Sequence, residues 1–367
     1  MNTSLFLSDA KSIYDNLMDE QSRTIFSKRL LFSVTNDYKH IVEMVLSIYP
    51  RMKENLEKYG DIIIYGAGEV GLKGCQFLGD QVVAVCDSDK HKQGSDFYGH
   101  MVISPQQLVD YQRSNKRFTI VISPLSVQAH IEITESLIGL GFNKDQIVSL
   151  GRDVFYADFN EKEIQYFDKS IPYLEDGGVF VDCGSCDFKN SLDFAKWSNW
   201  NYERIIAFEP NPEWFLDCVK ASENVRDSIV LQQGVWHTDG EITFNINDNT
   251  RISSFTDMYI RDKSNSGCDV ISNKYRNVTA KTTKIDDVLN GEKASFIKMD
   301  IEGAELNALR GATNTIRQFR PQLAICLYHT PEDILEIPLF IKSIEPDYKF
   351  YIRHYTLCDG ETVLYAI

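Results

Sequence analysis

Carboxylates and an imidazole recur in this chain directly after short apolar runs: Asp182 follows "VFV", Glu209 follows "IIAF", Asp300 and Glu302 follow "FIKM", and His329 follows "AICLY". Continuous apolar runs of this length read as strands of a buried parallel sheet. Open α/β sheets receive their ligands outside the carboxyl ends of such strands. A carboxylate at the tip of the second strand, Glu209, can accept both hydroxyls of a ribose. A base is needed to take a proton from an attacking hydroxyl, and His329 is the leading candidate, with Asp300 and Glu302 beside it. The same three residues could alternatively hold a divalent metal ion.

Some of these residues have plainer readings. Cys183 and Cys186 stand at the C-x-x-C spacing of a redox pair, which needs a setting that lowers a thiol pKa. Here the pair brackets a glycine turn, so structural or loop-lining thiols are expected. A helix begins near Ala304, and Glu302 suits its positive end, whereas Asp300 at the strand tip itself favours chemistry. Arg353 and His354 in "YIRHY" are candidates for the substrate side.

A second constellation lies earlier. Gly66, Gly68 and Gly71 satisfy G-x-G-x-x-G directly after "DIIIY", and Asp87 follows Gly66 by 21 residues. That is the β-α-β pattern of a nucleotide site, or of a tight strand-helix turn without one. It matches a dinucleotide, a nucleotide-sugar, or packing alone.

These residues must be positioned by an α/β chain. Residues 1–58 carry helical periodicity as an N-terminal extension, 59–152 a smaller Rossmann-like domain, and 153–367 a second, more complete alternation. In the last, seven apolar runs predict a doubly wound sheet whose final strand, "ETVLYAI", pairs antiparallel at an edge with the one before it. "GEITFNIND" and "NVTAKTTKIDDVL" add strands that lead into a short helix.

The chain of 367 residues is long enough for two cores, and 43% apolar content can fill them. Acidic residues exceed basic ones, 53 to 38, for a net charge of -15, which argues against a nucleic-acid partner. No stretch approaches the about 18 apolar residues of a membrane span. The first residues become charged too early for a secretory signal, so a cytoplasmic location is expected. The eight scattered cysteines fit reduced, buried thiols.

"FVDCGSCDFKNSLDF", "IIAFEPNP", "TTKIDDVL" and "FIKMDIEGAELNALRGA" together resemble the FkbM family of S-adenosylmethionine-dependent methyltransferases, over residues 175–367. The resemblance implies a class I methyltransferase fold and O-methylation of a hydroxyl on a sugar, glycan or natural product. It also implies roles for residues. Asp182, Gly184, Ser185, Cys186 and Asp187 would shape the methionine end of the cofactor site. Glu209, with Pro210 and Asn211, would hold the ribose, Gly234, Val235 and Trp236 would flank the adenine, and Asp300 would sit beside the reacting methyl group. The first domain resembles the nucleotide-sugar-type module that precedes such enzymes. Phe188 departs from the family pattern, which has a second glycine there. That departure motivates a non-catalytic binding protein as an alternative, and the glycine motif motivates an NAD-dependent sugar-nucleotide oxidoreductase.

Overall fold

The computed structural model describes residues 3–50, 57–113, 117–124, 126–155, 165–173, 177–247, 252–255 and 275–367. Two compact units result: Met1–Ser33, Glu163–His354 and Gly360–Ile367 form the larger, and Val34–Lys162 with Tyr355–Asp359 the smaller. The helical stretch expected as one extension, 1–58, is therefore divided between them, and its residues 51–56 lie outside the described ones.

In the smaller unit, α3 (Lys39–Ile48) ends before Pro50, which cannot continue a helix. It is followed by β1 (Asp61–Tyr65), α4 (Glu69–Leu78), β2 (Val82–Cys86), β3 (Asp96–Phe97), β4 (His100–Ile103), α5 (Pro105–Arg113), β5 (Phe118–Ile122), α6 (Val127–Gly139) and β6 (Ile147–Ser149). The strands form one sheet in the order β3-β4-β2-β1-β5-β6. Only β3 runs antiparallel. Ile63, Ile120, Ile122 and Leu137 are wholly buried in its core.

The larger unit begins with α1 (Thr3–Asn16) and α2 (Glu20–Thr35). It continues through β7 (Val179–Cys183), α7 (Lys189–Trp197), β8 (Arg204–Phe208), α8 (Pro212–Ser222) and β9 (Ser228–Leu231). Next come β10 (Gly234–Val235), β11 (Gly240–Asn247), β12 (Ile252–Phe255), β13 (Tyr275–Thr283) and α9 (Ile285–Leu289). The chain ends with β14 (Ala294–Met299), α10 (Glu305–Arg310), α11 (Thr313–Phe319), β15 (Gln322–Cys326), α12 (Asp333–Ile344), β16 (Phe350–His354) and β17 (Thr362–Ala366). The main sheet has the order β16-β17-β15-β14-β7-β8-β9, and a smaller sheet the order β10-β13-β11-β12.

All seven predicted apolar runs are strands of the main sheet, and the last is antiparallel to β16 as expected. Its place differs from expectation. β17 also pairs with β15 and so lies inside the sheet, leaving β16 at the edge. All five β17 residues are buried. α1 and α2 cover the β16 edge: Met18 N donates to Phe350 O at 2.9 Å, and the Arg353 guanidinium meets Asp19 at 2.7 Å. Arg353 and His354 are thereby buried in structural contacts, the latter with Thr362 Oγ1 at 2.8 Å.

The chain runs outward from β7 through β8 to β9, then returns to β14 on the other side of β7. Sheets with such a reversal bind their ligands in a crevice outside the carboxyl ends of the strands that flank it, here β7 and β14. Among the described residues no helix is long and apolar enough to cross a membrane.

Candidate active site

The tips of β7 and β14 approach so closely that a Cβ on Gly184 would lie 1.9 Å from Asp300 O. Gly184 also has φ +79°, so both space and backbone demand glycine. After it the loop turns left-handed twice more, at Cys186 (φ 54°) and Phe188 (φ 66°). Phe188 thus adopts a backbone conformation that favours glycine. Phe188 is 1% exposed.

The β8 tip secures this loop. Glu209 is 3% exposed, and its two oxygens accept the amides of Cys186 at 2.9 Å and Asn211 at 2.8 Å. Burial pushes its carboxyl up to about 7 despite those amides. Asn211 caps α8 through Oδ1, accepting from Glu213 N at 2.9 Å, and its buried Nδ2 has no partner among the described residues. Beside Glu209, that spare donor suits a ligand bearing adjacent hydroxyls. Asp182 is fully buried, accepting from Ser191 Oγ at 2.7 Å and Ser185 Oγ at 3.3 Å and pairing with Lys298 Nζ at 3.1 Å. Asp187 caps the turn into α7 by accepting from Lys189 N.

Neither thiol of the C-x-x-C pair is in a disulfide. Burial pushes the Cys183 thiol well above its ordinary value. Cys186 packs on the apolar cluster of Trp214, Phe244, Val278 and Ala280.

Gly234 and Val235 form β10 and pair with Thr282 and Thr283. Trp236 N continues that ladder onto Thr283 O. The structure thus places "QGVW" where the small sheet joins the main one.

Across the crevice, Asp300, Glu302 and His329 come together. His329 Nε2 lies 3.4 Å from Asp300 Oδ1 and 3.6 Å from Glu302 Oε2. Its Nδ1 lies 2.9 Å from Glu305 Oε1. Burial opposes a charge on His329, but Glu305, then Asp300 and Glu302, outweigh it and push the imidazole up to about 10. Burial likewise tends to raise Asp300. His329, Lys298 and the hydroxyls of Tyr166 (2.7 Å) and Tyr328 (3.1 Å) nevertheless hold it below its usual value. Glu302, partly exposed, is pushed up to about 7 by burial, with His329 opposing and the Asp300 and Glu305 charges adding to the rise.

Glu305, Lys298, Tyr166 and Tyr328 carry this geometry without having been singled out in the sequence. Glu305 is wholly buried and accepts the amides of Ile301 and Gly303, which sets Glu302 in its left-handed turn (φ 58°). One signal was available: a lysine inside "FIKM", a strand buried on both faces, has to be paired. The ligand atoms of Asp300, Glu305 and His329 lie within 4.8 Å of one another, a grouping that could hold a metal ion. In this arrangement the protonated imidazole already stands where a cation would balance the carboxylates.

In the smaller unit, a Cβ on Gly66 would meet Ser123 Oγ at 2.4 Å, and one on Gly71 would meet Gly66 O at 2.0 Å. Two of the three glycines are thus required by strand-helix packing, while Gly68 faces open space. Asp87 accepts from Ala67 N and Asp89 N, both at 2.8 Å, and pairs with Lys92 Nζ at 3.1 Å. Burial raises its carboxyl, but these partners together hold it below its ordinary value.

The reversing seven-stranded sheet has the Rossmann-like fold seen in methyltransferases. Residues 182–350 match the model of the methyltransferase FkbM domain. A crystal structure of methyltransferase FkbM from Methylobacillus flagellatus KT shares this fold, with 18% identity over 92% of this chain and 100% of that one, at a TM-score of 0.50. Two weaker likenesses show no more than partial overlap. UDP-D-quinovosamine 4-dehydrogenase from Vibrio fischeri is 24% identical over 25% of this chain and 77% of its own, with TM-score 0.21. Aeropyrum pernix fibrillarin in complex with natively bound S-adenosyl-L-methionine is 8% identical over 53% and 67%, with TM-score 0.29. No curated protein matches the sequence.

Proposed function

We propose that this chain is an S-adenosylmethionine-dependent O-methyltransferase acting on a hydroxyl of a sugar, glycan or related natural product. One observation carries the reading: at the sheet's reversal, Glu209 and the spare Asn211 donor stand on one side, and Asp300, Glu302 and His329 on the other. The first pair suits a ribose diol and the second group suits deprotonation of an alcohol. When bound, S-adenosylmethionine supplies an electrophilic methyl group.

The chain's own residues supply binding, alignment and a proton acceptor. Glu209 and Asn211 hold the ribose, and the Gly184 turn lets backbone approach the donor. Holding acceptor and donor in line removes most of the entropic barrier. An alcohol is a poor nucleophile near neutral pH, so a base must take its proton. His329 keeps its own proton there, and we assign the acceptor role to Glu302, whose carboxyl titrates near neutrality. The imidazolium holds Asp300 and Glu302 in place. The Glu305 carboxylate fixes that ring through Nδ1.

We read Phe188 as compatible with activity, since its side chain is buried and exposes no bulk to a ligand. The smaller unit fits a nucleotide-sugar site or a packing module. What sets Asp87 apart from Glu209 is its ion pair with Lys92, beside the two backbone amides it accepts.

Calorimetric titration with S-adenosylmethionine, S-adenosylhomocysteine and NAD tests the reading. The first two are expected to bind near one per chain and NAD to be silent. NAD binding with silence from both S-adenosyl ligands would move the oxidoreductase reading ahead. Radiolabelled methyl transfer to a panel of neutral and amino sugars then separates an enzyme from a binding protein.

A further inference from the structure

We propose that Lys298 is a positioning residue for the donor loop, its ammonium fixing the two peptide units through which β7 turns into that loop. This rests on the reading of residues 184–188 as the donor site.

Lys298 lies in the middle of the sheet on β14, directly beside Asp182 in register, and is fully buried. Its ammonium reaches Asp182 Oδ1 at 3.1 Å, Gly184 O at 2.7 Å and Cys183 O at 3.2 Å, and it stands 5.2 Å from the Tyr166 ring centroid. The opposite ends of those two peptides are held as well, since Gly184 N and Ser185 N both donate to Phe208 O at 3.1 Å. Each peptide is therefore clamped between the ammonium on one side and a β8 carbonyl on the other. The next amide, Cys186 N, is the one Glu209 accepts. The orientation that Lys298 imposes is thus passed to the carboxylate assigned to the ribose.

Stability alone does not account for this lysine. A buried ion pair recovers its desolvation penalty poorly, and apolar side chains of similar volume usually serve a core as well or better. Two successive main-chain carbonyls aimed at one ammonium form a directional device, and they lie where the chain leaves the sheet for the left-handed turns at 184, 186 and 188.

The test compares Lys298→Met with the double variant Lys298→Met/Asp182→Asn in the full chain. The single change strands a buried carboxylate and is expected to lower the melting temperature. The double change removes that charge and should restore melting, because the carbonyl oxygen of the introduced amide can still accept the Ser185 and Ser191 hydroxyls. A positioning role predicts that S-adenosylhomocysteine affinity is weaker by about tenfold or more in the double variant than in Asp182→Asn alone, the scale of one lost charged hydrogen bond. It also predicts faster amide exchange over residues 184–188 in the unliganded protein. Lys298→Gln in the Asp182→Asn background keeps one donor and should fall between. Affinity that returns together with melting temperature would overturn the proposal, since the lysine would then merely neutralise Asp182. If the wild-type protein ignores S-adenosylhomocysteine, the donor-site reading fails, and exchange alone decides: faster loop exchange in the double variant upholds the clamp, and unchanged exchange overturns it.

Discussion

Phe188 sets two residue-scale effects against each other. A left-handed conformation costs a non-glycine residue about 1 to 2 kcal/mol, whereas truncating a buried phenylalanine costs about 3 to 5 kcal/mol. Burial wins on those magnitudes. Phe188→Gly, which restores the family pattern, should therefore lower stability by about 2 kcal/mol in denaturant unfolding. Glu302 gives a prediction in pH. Its raised carboxyl stays protonated below about 7 and can accept a proton only above it, so kcat/KM should climb through that range. Glu302→Gln should remove the climb and about two to four orders of magnitude of rate; a retained acid limb would exclude Glu302 as the base. Glu209→Ala should weaken S-adenosylmethionine binding strongly in calorimetry while Asp87→Ala leaves it unchanged, and equal effects would sink the two-site reading. Asp182, Glu209, Asp300 and His329 were legible because each ends an apolar run. Tyr166 was not, since it reaches Asp300 across 134 residues of sequence. Glu305 reads as an ordinary acid in a helix's first turn, and only the fold shows it closing the Glu302 turn.

At the scale of elements, the glycine of "RGA" is required by a close backbone approach. A Cβ on Gly311 would sit 2.1 Å from Trp236 O, so the link between α10 and α11 lies directly on the chain leaving β10. Backbone cannot yield as a flexible side chain can. Gly311→Ala should therefore displace β10 or α11 and lower the melting temperature by several degrees, on the order of 2 kcal/mol; an unchanged melting curve would show that the contact can relax. The strands themselves were readable from apolar runs, and α9 from the pattern after "TTK". The interior place of β17 was not, because an antiparallel partner close in sequence gives no hint that a more distant strand lies on its other side.

At the scale of the molecule, the larger unit is discontinuous: Met1–Ser33 fold with strands from the far end of the chain. Ile13, Leu17, Ile25 and Phe26 are almost wholly buried there, each contributing about 2 kcal/mol. A fragment of residues 153–367, cut where the composition suggests a domain, would expose their partners and leave the β16 edge bare. Such a fragment should melt without cooperativity or associate, as scanning calorimetry and gel filtration would show. A sharp transition matching that of the full chain would mean that α1 and α2 are dispensable. Periodicity alone marked these helices as a preamble, because their hydrogen bonds to Tyr348 and Ile352 span 332 and 330 residues.

Those spans also fix an order of events during synthesis. α1 and α2 leave the ribosome well ahead of the strand that receives them, which follows on the order of half a minute later at ordinary elongation rates. Helices of 14 and 16 residues are marginal in water without a partner. The nascent chain must therefore carry their apolar faces unsatisfied while the smaller unit and most of the main sheet are made. Closing the larger unit is a late step, and two helices made before all of its strands are among the last elements to reach their final place.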